Sequence, residues 1–346
     1  MVSDMIILIA VVVAAALVFA LTNGLHDASS VVATFIACGA GTPLQAVGLA
    51  SVFGLLGALF SGSAVADTVA KIVSLPVQPS LLSVLLAALL GAVVWNLITW
   101  YLGLPSSSTH ALVGGIVGAV WVSSGCEHIL WGWKELIYTH QLTGLVKVFS
   151  ALLISPVLGF AIAYCLQKTV SFSLKNARFA VNRRLKGLQW IMAALLAYSH
   201  GANDTQKIMG LITLALLAGN LLQQQITPEW VRLSGGMVMF AGTLFGGWSI
   251  MKTLGQGIFD IRPIHSLNAQ VSSGGAIMFA TVLGVPISTT HVVAGSVIGV
   301  GAADEYRMVN WNIGKEMMAA WFVTIPAAAV VGAIFYYPVI WLVGSW

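Results

Sequence analysis

The chain is 346 residues long, 58% hydrophobic and only 8% charged, with a formal net charge of +4. Soluble domains carry roughly 25% charged residues, so the composition excludes a soluble globular protein. Three cysteines, odd in number, in or beside apolar segments and without ligand spacing, suggest neither a disulfide framework nor a zinc site.

In chain order, the first predicted element is an uncharged run over residues 5–22. Similar runs follow at 80–103, 145–166, 236–251 and 317–343. About 20 apolar residues cross a bilayer as a helix, so the chain reads as an all-α polytopic membrane protein. The alternation of a membrane barrel is missing. Lys71 is the first basic residue, so the opening run lacks the basic start of a secretion signal and is expected to be a retained span.

Near the middle, residues 168–186 carry Lys168, Lys175, Arg178, Arg183, Arg184 and Lys186 and no acid. The positive-inside bias makes this connector cytoplasmic, a topology determinant rather than a nucleic-acid site. It separates a first repeat, 1–167, from a second, 187–346. NGLHDAS (23–29) matches HGANDTQ (200–206), GALFSGSAVADT (57–68) matches GTLFGGWSIMKT (242–253), and GLPSSSTHALVGGIVG (103–118) matches GVPISTTHVVAGSVIG (284–299). The offsets are 177, 185 and 181 residues, in one order, which is an internal duplication. Duplicated membrane proteins are typically transporters with a site where the repeats meet.

Asp27 and Asp204 occupy matched positions within apolar surroundings. A carboxylate at mid-bilayer costs roughly 2.5–3.5 kcal/mol even on the lenient insertion scale, so two of them at equivalent places imply a task. Gly24 and Gly201 stand three residues earlier, and each helix is expected to be interrupted there, offering carbonyls beside a carboxylate to a small cation or a proton. Local pairing, Asp204 with Lys207 and Asp27 with His26, would neutralise each acid without explaining the matched placement. No H-x-x-x-H spacing suggests a transition metal. His110 and His291 are expected to hold hairpin backbone.

The other chemistry lies after Pro105 and Pro286. Ser106, Ser107, Ser108 and Thr109 in one half and Ser288, Thr289 and Thr290 in the other each open a Gly-rich apolar helix, which predicts a broken or re-entrant hairpin. Helix-start N–H groups and hydroxyls favour an anion. Two such starts facing one another would surround a tetrahedral oxyanion with neutral donors.

These paired motifs resemble the duplicated signatures of the inorganic phosphate transporter (PiT) family over essentially the whole chain. The resemblance implies a cation-coupled phosphate permease of the plasma membrane, with inverted repeats, two hairpins and a homodimeric assembly. By that match Asp27, Asn203 and Asp204 carry over to the cation site, and with Asn23 and His26 of the first signature they make the expected coupling-cation set. The phosphate set would be Ser107, Ser108, Thr109, Ser288, Thr289, Thr290 and Asn203. His26 stands where the family commonly has Asn, and Ser29-Ser30 where Ala-Asn is common, which leaves room for proton coupling. The expected partners are inorganic phosphate, Na⁺ or H⁺ and lipid, with no cofactor and no nucleic acid. Three alternatives stay open: a sulfate or other oxyanion permease of the same fold, an intramembrane hydrolase, and an anion channel. The hydrolase lacks a nucleophile motif, and a channel has no need of carboxylates near its anion.

Overall fold

The computed structural model describes residues 2–72, 76–176, 178, 180–246 and 248–344. Among them there is no strand. The helices are α1 (Val2–Ala37), α2 (Pro43–Phe60), α3 (Ala64–Ala70), α4 (Ser80–Tyr101), α5 (Ser108–Ser124), α6 (Trp133–Thr139) and α7 (Gly144–Ser173). After these come α8 (Val181–Ala218), α9 (Glu229–Phe245), α10 (Trp248–Lys252), α11 (Pro263–Val282), α12 (Thr289–Glu305) and α13 (Trp311–Gly344). Five of the described helices are long and apolar enough to cross a membrane: 3–37, 43–60, 80–101, 144–173 and 311–344.

The two hairpins form as the sequence predicts. Residues 102–107 connect α4 to α5, residues 283–288 connect α11 to α12, and the helices of each pair pack along one another. Gly103 and Gly284 adopt φ of 67° and 64°, a left-handed conformation that glycine takes without steric cost and that turns the chain just ahead of each Pro. Packing then crosses between the halves. Hairpin helix α5 lies on α13, the last helix of the chain, and α12 lies on α7, the last of the first half. In the same way α1 lies on α9 and α2 on α8. The two repeats are therefore interleaved rather than side by side.

The expected interruption of the aspartate helices is not there. α1 runs 36 residues and α8 runs 38 residues without a break, each more than 50 Å long at about 1.5 Å per residue. The two glycines serve contact instead. A Cβ on Gly24 would sit 1.8 Å from the Met239 carbonyl oxygen of α9, and one on Gly201 would sit 2.0 Å from the Gly54 carbonyl oxygen of α2. Small residues let membrane helices approach backbone to backbone, and that is their role here. Gly24→Ala and Gly201→Ala should each destabilise the protein by about 1–3 kcal/mol through overpacking. Thermal melts in detergent would show it against Gly48→Ala, whose Cβ would meet nothing within 4 Å.

Two smaller boundaries also differ from expectation. The apolar run 236–251 is not one helix, because α9 begins at Glu229 and ends before Gly246, where φ is 56°. The basic connector is largely helical: α7 continues to Ser173 and α8 starts at Val181. An 18-residue helix that the hydropathy reading passed over, α2, starts with a capping box. Thr42 Oγ1 accepts from Gln45 N at 3.3 Å, and Gln45 Oε1 accepts from Thr42 N at 2.9 Å.

Candidate functional site

The long helices α1 and α8 carry Asp27 and Asp204 into the interior, each 1% exposed. In such surroundings a carboxylate persists only with partners. Asp27 Oδ2 accepts a 2.7 Å hydrogen bond from Ser108 Oγ, and Oδ1 accepts one of 2.7 Å from Thr290 Oγ1. His26 Nδ1 lies 3.3 Å from Oδ1. On the other side of that ring, Nε2 is 3.2 Å from Ser106 Oγ and 3.3 Å from Thr99 Oγ1.

Asp204 is held differently. Its Oδ2 accepts from Thr289 Oγ1 at 2.9 Å and lies 3.1 Å from His200 Nδ1. Its Oδ1 takes the Lys207 ammonium, which also donates to Thr109 Oγ1 at 2.6 Å and to the Ile287 carbonyl at 2.8 Å. One turn of α8 thus supplies an acid and a base that neutralise each other inside the protein.

The hairpin tips deliver the hydroxyls. Ser107 and Ser288 are the N-caps of α5 and α12, accepting from the backbone N–H of His110 at 3.2 Å and of His291 at 3.3 Å. Capping uses an oxygen lone pair and leaves each O–H as a donor. The first intrahelical bonds are Ala111 to Ser107 and Val292 to Ser288, so the N–H groups of residues 108–109 and 289–290 are the helix-start donors without an intrahelical acceptor. The tips touch: Thr109 Oγ1 donates to the Ile287 carbonyl at 3.3 Å, and the rings of His110 and His291 meet at a tilt of 52° with centroids 4.6 Å apart. The second tip bonds both acids, Thr289 to Asp204 and Thr290 to Asp27, whereas the first bonds Asp27 through Ser108 and reaches Asp204 only through the Lys207 ammonium on Thr109.

Comparison with known proteins decides the family. The profile of the phosphate transporter family matches residues 23–332. The chain is 39% identical to the probable low-affinity inorganic phosphate transporter of Bacillus subtilis (strain 168), covering 96% of this chain and 97% of that one. It is 38% identical to the counterpart in Rhizobium meliloti (strain 1021), covering 94% of both. The chain belongs to the phosphate transporter family. A solved structure, "The sodium-dependent phosphate transporter", superposes with a TM-score of 0.82 at 25% identity over 95% of this chain and 98% of that one. The relatives are transporters, not enzymes, and the intramembrane hydrolase drops out.

Within this family member the structure gathers Asp27, Asp204, His26, Ser107, Ser108, Thr109, Ser288, Thr289 and Thr290 at the meeting of the two hairpins with α1 and α8. Asn203 points its amide elsewhere, donating to Thr281 Oγ1 at 2.9 Å and the Val285 carbonyl at 3.2 Å, where it ties α8 to the start of the second hairpin turn. Its Oδ1 and that of Asn23 are buried without a hydrogen-bond partner among the described residues. His110 and His291 do not hold the hairpins in the way the sequence suggested. Their backbone N–H groups carry the caps, while the rings meet each other at a tilt and that of His291 stacks on Trp321 at 3.9 Å. The sequence reading cast Lys207 only as a local counter-charge and left Thr99 unmentioned. Lys207 was visible as a base one turn after Asp204; nothing near Thr99 marked it.

Proposed function

We propose that this phosphate transporter family member imports inorganic phosphate across the plasma membrane in symport with Na⁺ or H⁺, by alternating access between two inverted halves. One observation carries the reading. The hydroxyls suited to phosphate and the carboxylates suited to a cation are bonded to one another, through Ser108 and Thr290 on Asp27 and Thr289 on Asp204.

That arrangement couples the two ligands chemically. While a hydroxyl donates to a carboxylate, it has no proton to give phosphate. A cation or proton arriving at Asp27 competes for the same oxygens and releases Ser108 and Thr290. Freed hydroxyls, together with the helix-start N–H groups of α5 and α12, make a neutral donor set for a tetrahedral oxyanion. His26, beside Asp27 and in reach of Ser106 and Thr99, offers a proton acceptor if the coupling ion is H⁺. The basic stretch 168–186 puts the α7–α8 junction on the cytoplasmic face, and the assembly proposed is the homodimer that the family resemblance implies.

Hydrogen bonds to charged groups are worth about 1.5–3 kcal/mol. Ser108→Ala and Thr290→Ala should therefore each weaken phosphate binding on the order of 10- to 150-fold, measured by equilibrium binding of radiolabelled phosphate. The function itself is tested in proteoliposomes with Na⁺ and H⁺ gradients imposed separately. Accumulation of labelled phosphate against its gradient under one of them is the expected result. Sulfate uptake that phosphate fails to inhibit would assign a different oxyanion, and uptake indifferent to both gradients would remove the symport.

A further inference from the structure

The duplicated sequence invites a comparison of the two acid sites partner by partner. Their histidines come from unmatched positions, His26 on Asp27 Oδ1 and His200 on Asp204 Oδ2, and their hairpin hydroxyl contacts differ at one place. Ser108 on Asp27 Oδ2, at 2.7 Å, has its repeat-related counterpart in Thr289 on Asp204 Oδ2, at 2.9 Å. Thr290 donates directly to Asp27 Oδ1 at 2.7 Å. The counterpart contact would run from Thr109 to Asp204 Oδ1, but there the Lys207 ammonium stands between them, bonded to both and to the Ile287 carbonyl. At the first-half position related to Lys207 by the 177-residue offset stands Ser30, whose hydroxyl donates to the Asp27 carbonyl of its own helix at 2.8 Å.

The chemistry of the three oxygens identifies what sits among them. Thr109 donates its own hydroxyl proton to the Ile287 carbonyl, so it offers Lys207 a lone pair. The carboxylate and the carbonyl are acceptors only. Three acceptors around one nitrogen match the three N–H bonds of an ammonium, whereas a neutral amine would face one of them with its lone pair. A cluster of carboxylate, carbonyl and hydroxyl oxygens is also what a small hard cation takes as ligands. Lys207, 2% exposed, fills that cluster from within the chain.

We propose that the Lys207 ammonium is a tethered cation that permanently occupies one of two repeat-related cation seats, leaving Asp27 as the seat for the exchangeable ion. This rests on the symport reading. Its consequence is that one fewer mobile cation accompanies each phosphate than in a site where both seats are open. The second-half carboxylate also presents no uncompensated charge to phosphate at any stage of the cycle.

The test replaces the lysine by the residue that the first half uses. Purified wild-type protein and Lys207→Ser are titrated with radiolabelled phosphate at fixed pH and ionic strength, over a series of Na⁺ concentrations in a choline background. In choline alone the variant should bind phosphate at least about 10-fold more weakly than wild type, within the range of a typical coupling between sites. Na⁺ or methylammonium should restore the affinity. The logarithmic dependence of affinity on the restoring cation should be steeper than in wild type by about one ion, the signature of one seat refilled. Lys207→Gln carries the same expectation should the serine variant not survive purification. A folded variant with wild-type affinity and wild-type cation dependence overturns the proposal. So does lost binding that neither Na⁺ nor methylammonium restores, which would make Lys207 a ligand of phosphate itself. Wild-type protein that binds no phosphate would instead defeat the symport reading, and the two failures stay distinct.

Discussion

Asp27→Asn should reduce cation-driven phosphate uptake to background, a loss of at least about 100-fold near the top of the usual range for coupling between two ligands, while the protein stays folded. The amide has the size of the carboxylate and can still accept a hydrogen bond from Ser108 or Thr290, which hold the acid at 2.7 Å. What it lacks is the negative charge that attracts Na⁺ and the basicity that takes a proton. Among the described residues no lysine or arginine bonds to Asp27, so the substitution strands no permanent charge. Uptake in proteoliposomes, run beside a melting curve and a size-exclusion profile, separates lost transport from lost fold. Wild-type uptake by well-folded Asp27→Asn would remove this residue from the mechanism.

Asp204→Asn should behave differently, because the same change there leaves the Lys207 ammonium buried without its counter-ion. Removing one partner of a buried pair typically costs about 3–5 kcal/mol. The variant should therefore melt far below both wild type and Asp27→Asn. From sequence alone, neutralising either acid is expected to leave a folded protein, and the ion pair revises that for the second. Asp204→Asn combined with Lys207→Met removes both charges and should recover most of the stability, though not the transport. Thermal melts of the three variants in one detergent decide it. An Asp204→Asn protein as stable as Asp27→Asn would show that the pair is not the buried unit described here.

The acids, the hydroxyl clusters and the hairpins were legible because each departs from its surroundings. A carboxylate in an apolar run, or Pro followed by three hydroxyls, is improbable unless it is used, and the duplication presents every signal twice. Spacing says nothing, however, about which group meets which. Thr290 and Asp27 lie 263 residues apart, and their contact arises only because α12 and α1 converge from opposite halves. The glycines were misread for a related reason. Gly24 and Gly201 look like breaks in a helix read singly, but with the partner helix in place they are points of backbone contact. The apolar run around Asp204 is legible as a membrane crossing, but the full length of α8 is not, because its basic first turns from Val181 dilute its apolar character, although residues 199–216 are all buried.

The central claim is that phosphate and cation bind cooperatively because the hydroxyls of Ser108 and Thr290 cannot serve Asp27 and phosphate at once. Such coupling is reciprocal and is usually worth about 1–3 kcal/mol, a 5- to 150-fold change in affinity. The direct measurement is calorimetric titration of phosphate into the purified protein, in saturating Na⁺ and then in choline at equal ionic strength, each at two pH values. Phosphate affinity should tighten at least several-fold with Na⁺ or with protonation, within that coupling range, and phosphate should tighten the same cation by the same factor. Phosphate affinity indifferent to both Na⁺ and pH would contradict the mechanism.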